Sequence, residues 1–434
     1  MRAHEDPRYT GGMERDSGWL RRRFVLLTLA LAMALSTACV KEKRLEYKFE
    51  HRFNVEDPTF RRSLDSLGNP MLPGNTAVIL RNGDEIFPAM TGAIRAAKKS
   101  VNLESYIFLD DEAGRQFADA LIEAAKRGVK VRVLVDAVGS KMGRLTEEFK
   151  NAGVDLRSFR PVSPLALHKL GKRTHRKILV VDGTTCFAGG MCIDKRWLGD
   201  ARSASEWRDT HVQVTGPVVG QMQAIFAENW TYTTGEVLVG DGNYPAVEPR
   251  GSVSIQAVKV SIGDSVSLAK LLYYLAIQSA DKTIHLQNAY FLPDQQIREA
   301  LIKAVERGVD VKVMVPGNHI DIPMVRAASQ KHYGDLLRGG VKIYEYQPTM
   351  LHNKTMVVDG IFSVIGSINL DNRSMGKNAE DSLTFYDRDL AAKLEKDFQD
   401  DLGRCREFTV EIWSHRGFHR RIAETFGWLF SPMY

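Results

Sequence analysis

A chain of 434 residues is too long for one ordinary core, so it fits two domains or one double-sized domain made of duplicated halves. Hydrophobic residues at 44% and charged residues at 26% argue against both a multi-span membrane protein and a disordered chain. The formal net charge of +6 favours an anionic partner, phospholipid headgroup or nucleic acid, although it is also compatible with a plain solvated surface.

In chain order, the first readable element is Arg21, Arg22 and Arg23 followed by an uncharged apolar run from Phe24 to Ala38, then Cys39 and the charged stretch Lys41 to Arg44. That is the layout of a secretory signal, and the run is shorter than the roughly 20 apolar residues a spanning helix needs. Ser36, Thr37, Ala38 and Cys39 are similar to a bacterial lipobox, which makes Cys39 the lipidation candidate; an uncleaved anchor and a buried helix are the other two readings. Both leading options tie the body to a bacterial membrane, on its exported side. Cys186, Cys192 and Cys405 are too few and too irregular for a disulfide scaffold or a zinc site, so no metal is expected.

The chain then contains itself twice. Ala120 to Val135 and Ala300 to Val315 both read as a helix, a glycine stop (Gly128, Gly308) and a valine-rich strand. Upstream lie matching strands, Val101 to Phe108 and Ile284 to Phe291, with Glu104 and Gln287 as polar residues in apolar runs; downstream, strand pairs centre on Val180 and Val357. Alternating strands and helices predict an α/β fold with a mostly parallel sheet covered by helices. The expected division is a signal-like segment 1–39, an extension 40–72, a first half 73–246, a second half 247–410 and an amphipathic tail 411–434. The halves meet at the glycine- and proline-rich Gly235 to Gly251, and equivalent loops can face each other across a pseudo-twofold axis.

Each repeat ends in one arrangement: His175, Lys177 and Asp182-Gly in the first, His352, Lys354 and Asp359-Gly in the second. Alternate side chains of a strand share a face, so each histidine points the same way as its lysine, an arrangement poor for packing and suited to holding a phosphate. A phosphodiester reaction needs a nucleophile, a proton donor for the leaving oxygen and cations on the phosphoryl oxygens. Two histidines can divide the first two tasks, because imidazole serves neutral or protonated near neutral pH. Lys177 and Lys354 supply the charge, and no metal or other cofactor is required. Asp209 and Glu380 occupy matching places after the two motifs and are the candidates for fixing an imidazole tautomer.

On these residues the sequence resembles the phospholipase D superfamily, with its H-x-K-x4-D motif followed by G-[GS]-x-N. The second copy is complete, with Gly366-Ser367-Ile368-Asn369, Asp371, Arg373-Ser374 and Asn378-Ala379-Glu380; the first reads Gly189-Gly190-Met191-Cys192, with cysteine in place of the asparagine. Trp207 to His211, Phe226 to Trp230 and Trp428 to Pro432 resemble the bacterial cardiolipin synthases within that superfamily. The resemblance implies two pseudo-symmetric α/β/α sandwich halves with the active site at their interface. It implies His175 as nucleophile, His352 as general acid, Lys177 and Lys354 on the phosphate, and Asn369 and Ser367 orienting the substrate. Asp182 and Asp359 belong to the catalytic motif, although their place at a strand–turn boundary favours shaping the turn. The implied activity is transfer of a phosphatidyl group between two phosphatidylglycerol molecules with release of glycerol. An exported phospholipase D is the alternative; a nuclease is disfavoured by the absence of an aromatic-rich basic tract, and a tethered non-catalytic binding protein is the bland reading suggested by Cys192. The implied partners are anionic phospholipid and a membrane surface. Phe418, Ile422, Phe426 and Leu429 beside Arg416, His419, Arg420 and Arg421 form a basic amphipathic segment that suits lipid or the protein body equally.

Overall fold

The computed structural model describes residues 47–49, 53–162, 171–264 and 266–429, so the signal-like segment with Cys39 lies outside the described residues. The valine-rich runs form strands whose side chains are buried almost throughout, because helices cover both faces: Glu112–Lys126 and Gln295–Glu306 on one, Val218–Thr234 and Arg388–Leu402 on the other. The first half contributes β1 (Leu72–Arg81), β2 (Ser100–Ser105), β3 (Lys130–Asp136), β4 (Asp155–Phe159), β5 (Ile178–Val181), β6 (Thr185–Gly189) and β7 (Thr210–Thr215). The second contributes β8 (Val253–Val260), β9 (Thr283–Asn288), β10 (Asp310–Pro316), β11 (Lys342–Tyr346), β12 (Lys354–Val358), β13 (Phe362–Gly366), β14 (Glu380–Tyr386) and the short β15 (Cys405–Glu407).

These strands join in the order β15-β11-β10-β9-β12-β13-β14-β8-β1-β7-β6-β5-β2-β3-β4. Outward from the β8–β1 seam the same sequence of roles is read in both directions, which is the duplication expressed as hydrogen bonding. The expectation of a mostly parallel sheet needs correction: the sheet is mixed, with parallel pairing confined to β2–β3–β4 and β9–β10–β11. The reason is local. Asp182-Gly183 and Asp359-Gly360 all have positive φ (53° and 65°, 52° and 63°), the conformation of a tight type I′ turn, and such a turn can only join antiparallel neighbours.

The helices of the repeat follow their sequence signals. Asp111 and Asp294 cap Glu112–Lys126 and Gln295–Glu306 by accepting from Gly114 N–H and Ile297 N–H, and Gly128 and Gly308 turn the chain at φ 87° and 95°. One core joins the halves: Ile178, Val180 and Val212 pack in a cluster with Val357, Ile365 and Leu383. β5 and β12, which follow the two histidines, are therefore tied together through shared apolar side chains.

Asp182 and Asp359 account for part of that rigidity. Asp182 accepts from the backbone N–H groups of Lys98, Lys99 and Ser100, and Asp359 from those of Asp281, Lys282 and Thr283. Each carboxylate thus ties the tip of one hairpin to the start of the neighbouring strand, β2 or β9. Asp182→Ala removes the acceptor of three amides and also places alanine at positive φ, so it is expected to lower stability by at least about 2 kcal/mol. Equilibrium urea unfolding of the variant beside His175→Ala checks this, since His175→Ala loses no such anchor.

Candidate active site

The segments that precede β5 and β12 carry His175 and His352, and each is held by a two-residue parallel bridge to the other half. His175 N–H donates to Ala379 C=O (2.8 Å) and Ala379 N–H to Arg173 C=O (2.9 Å); His352 N–H donates to Arg208 C=O (2.7 Å) and Arg208 N–H to Met350 C=O (2.9 Å). The residue following Ala379 is Glu380, and the one following Arg208 is Asp209. Each bridge therefore delivers a carboxylate from one half to the imidazole of the other. His175 Nδ1 lies 2.8 Å from Glu380 Oε2, and His352 Nδ1 lies 2.8 Å from Asp209 Oδ2. The sequence placed Asp209 and Glu380 at matching positions; the crossed assignment is visible only in three dimensions.

Both carboxylates are held on further sides. Ser367 Oγ donates to Glu380 Oε2 (2.6 Å) and Ser374 Oγ to Glu380 Oε1 (2.6 Å). Trp197 Nε1–H donates to Asp209 Oδ2 (2.7 Å) and Thr210 N–H to Asp209 Oδ1 (2.8 Å). Trp197 was missed by sequence reasoning, yet a signal existed: it stands eight residues after Gly189 as Ser374 stands eight after Gly366. In the same register Gly190 replaces Ser367, and a Cβ at 190 would lie 2.2 Å from Asp209 Oδ1. The glycine is what lets that carboxylate approach. Around His352 the aromatic wall is also heavier, with Trp197 and Trp207 ring centroids at 5.0 and 5.3 Å, whereas His175 faces Tyr106 at 5.1 Å.

The lysines turn back on their own motifs: Lys177 Nζ donates to His175 C=O and Lys354 Nζ to His352 C=O, both at 2.6 Å. Lys354 Nζ also lies 3.0 Å from His352 Nε2. Each lysine acts on both rings, since Lys354 disfavours the charged form of His175 and Lys177 that of His352. The two motifs thus share one electrostatic environment.

Burial is the largest influence on this cluster; His175 is 9% exposed and His352 4%. Desolvation, with the neighbouring lysines, lowers His175 to about 4 and His352 to about 3, against the opposing pull of the carboxylates. Burial also lowers Lys354 to about 7. For Glu380, burial pushes up, but the His175 and Lys177 partners and the Ser367 hydroxyl outweigh it and hold the carboxyl at about 2. At neutral pH the imidazoles are neutral, with Nδ1–H committed to a carboxylate and Nε2 left for chemistry.

Of the remaining motif residues, Asn369 is buried with its side-chain oxygen unpaired, and Cys192 is buried in an apolar cluster with Met191, Ile193 and Trp197, where burial raises its thiol pKa. Asp182 and Asp359 are not brought to the imidazoles; they sit at the opposite ends of β5 and β12, bound to backbone amides. Glu104 and Gln287 lie behind the motifs: Glu104 accepts from Thr174 and Asn229, and Gln287 accepts from Asn353 and Thr355 and donates to Asp401. Among the described residues no group of three or more His, Cys, Asp or Glu side chains could hold a metal ion.

Paired imidazoles, each braced by the other half's carboxylate and flanked by a lysine, on a duplicated mixed sheet, define the phospholipase D-like class. Residues 90–230 and 273–402 match the family described as "Cardiolipin synthase, PLD-like domain". Cardiolipin synthase 2 of Bacillus anthracis is 39% identical over 359 residues, covering 82% of this chain and 70% of that protein. Cardiolipin synthase A of Pseudomonas syringae pv. syringae is 36% identical over 354 residues, covering 81% and 73%. The chain belongs to the cardiolipin synthase family of phospholipase D-like proteins. Among solved structures, the phosphatidylserine synthase of Haemophilus influenzae superposes with a TM-score of 0.65 over 87% of this chain and 98% of that one; at 15% identity this is a likeness of fold alone.

Gly190→Ala is expected to displace Asp209 and lower kcat at least about 100-fold, while Trp197→Phe, which removes one donor and keeps the ring, lowers it about 10-fold. Steady-state turnover, with circular dichroism as the check of folding, tests both.

Proposed function

We propose that this protein is a phosphatidyltransferase that makes cardiolipin from two phosphatidylglycerol molecules, with His175 as nucleophile and His352 as general acid and base. The observation that carries the reading is the crossed pairing of two neutral, buried imidazoles with Glu380 and Asp209, which gives a duplicated site one nucleophile and one proton carrier.

In the first step His175 Nε2 attacks the phosphorus of phosphatidylglycerol, the bond from phosphorus to the glycerol oxygen breaks, and His352 in its imidazolium form donates a proton to that oxygen. Substrate supplies the condition for that protonation: a bound phosphodiester adds a negative charge beside His352 and offsets the lysines that disfavour the imidazolium. Lys177 and Lys354 neutralise the non-bridging oxygens, with the Asn369 side chain and Ser367 orienting. In the second step the now neutral His352 takes a proton from the glycerol hydroxyl of a second phosphatidylglycerol. That oxygen displaces the imidazole of His175 from phosphorus, and cardiolipin leaves. The relatives' names support a phospholipid substrate and, with it, association with a membrane. The finer readings, phosphatidylglycerol as substrate, a lipoprotein or anchored N-terminus and an exported active site, belong to this proposal. Among the described residues no helix is long and apolar enough to cross a membrane.

The full chain incubated with phosphatidylglycerol vesicles is expected to yield cardiolipin and glycerol in equal amounts; phosphatidic acid as the only lipid product would make it a hydrolase. With phosphorus-labelled lipid, the wild-type chain trapped during turnover is expected to carry label, and His175→Ala to carry none. The pH profile has a definite sense. Below about 4, His175 protonates and ceases to be a nucleophile; above about 7, Lys354 loses the charge that holds the phosphate. Accordingly kcat/KM is expected to fall on the acid side as His175 protonates and, because His352 must carry a proton to act as the acid, to fall on the basic side as well, more steeply above about 7; the surviving activity of Lys354→Arg is expected to lose that added steepness.

A further inference from the structure

The C-terminal helix Phe418–Leu429 packs on the body the wrong way round for a soluble protein. Phe418, Ile422, Phe426 and Leu429 fall within an arc of about 80° at 3.6 residues per turn. They are 73%, 48%, 57% and 58% exposed, while the only buried residues of the helix are Glu424 and Gly427, on the other side. The polar, small side is thus the docked one. Glu424 is held by Arg416 Nε at 2.7 Å, and Gly427 touches the helix Pro323–Arg338 so closely that a Cβ would lie 2.8 Å from Met324 C=O. Phe418, Ile422 and Leu429 thus form an exposed apolar stripe directed away from the core, a surface suited to an apolar neighbour.

Charge says what kind. The first turn of this helix contains His419, Arg420 and Arg421 and no acidic residue. The helix macrodipole disfavours cations there; Arg421 is met by Ser414 C=O, and the exposed His419 and Arg420 leave this end of the helix suited to external anions. Location adds a third observation. The Gly427 contact is with the start of Pro323–Arg338, where Ile322 and Met324 are also exposed. Just before it, Asp321 accepts from Tyr290 Oη at 2.8 Å, and the Tyr290 ring lies 6.4 Å from His352. The Gly427 end of the helix therefore packs on the segment that leads to the Asp321–Tyr290 pair beside His352.

We propose that the outward face of Phe418–Leu429, with Ile322 and Met324, docks on a bilayer of anionic lipid and sets the mouth of the site at its surface, so that lipid headgroups reach the two histidines without leaving the membrane. This rests on the reading of the protein as a phospholipid-transforming enzyme. It is independent of the membrane-directed segment before residue 47.

The test uses the full chain with an environment-sensitive fluorophore on Ile422→Cys and, as a control, on Val239→Cys, which is exposed elsewhere. Vesicles of phosphatidylglycerol are expected to shift the emission at 422 to the blue and leave 239 unchanged, with vesicles of phosphatidylcholine giving a weaker shift at 422. Phe418→Ser combined with Ile422→Ser is expected to lower turnover of vesicular phosphatidylglycerol at least 10-fold, with turnover of monomeric short-chain phosphatidylglycerol within twofold of wild type. No blue shift at 422, or undiminished turnover of vesicles by the double variant, overturns the proposal. So does a shift that grows with protein concentration in the absence of lipid, which would show a second copy on this face. Loss of the wild-type reaction on both forms of lipid would instead refute the assigned activity, while the emission shift would still report docking.

Discussion

Everything in this site depends on the exchange of carboxylates between the halves. A buried imidazole with an unsupported Nδ1 would be free to change tautomer, and a buried carboxylate with no partner would be too costly to keep ionised. The parallel bridges at Thr174–Ala379 and Arg208–Leu351 solve both problems at once, because the backbone bond that holds each histidine also positions the carboxylate that braces it. The shared apolar cluster of Val180, Val212, Val357 and Leu383 is the mechanical base for this exchange. Buried Arg176 reinforces it, reaching across to the Glu380 carbonyl, and Arg208 does the same from the other side through Asp401.

The electrostatics follow from that burial. Removing the histidines from water favours their neutral forms, which is the state a nucleophile needs, and the two lysines strengthen the effect. The same desolvation makes the resting site intolerant of further charge unless an anion arrives. In the proposed mechanism a phosphodiester meets that condition, and protonation of His352 is then coupled to occupancy of the site.

Much of the architecture could be read from the repeat. The histidine, lysine and aspartate of the two motifs stand at one constant offset, and the glycine stops marked the helix ends correctly. The sheet direction was misread because βα alternation was allowed to outweigh Asp-Gly, a dipeptide that forces a hairpin. The crossed pairing was not legible: 205 residues separate His175 from Glu380 and 143 separate Asp209 from His352, and no local pattern says which partner closes across the axis. Trp197 escaped notice because an indole and a hydroxyl look unrelated until both are seen donating to a carboxylate. For the C-terminal helix the sequence supplied the stripe, but only packing could say which side faced the body.

The buttressing of the two carboxylates differs in kind, with serines around the longer Glu380 and an indole and a bare glycine around the shorter Asp209. That difference has a genetic meaning. Each carboxylate lies in the same half as its buttress, so an exchange that moved position 190 or 367 without position 209 or 380 would set serine where Asp209 needs empty space, or take a hydroxyl from Glu380. The glycine, indole and aspartate of one half, like the serines and glutamate of the other, can change only as a set.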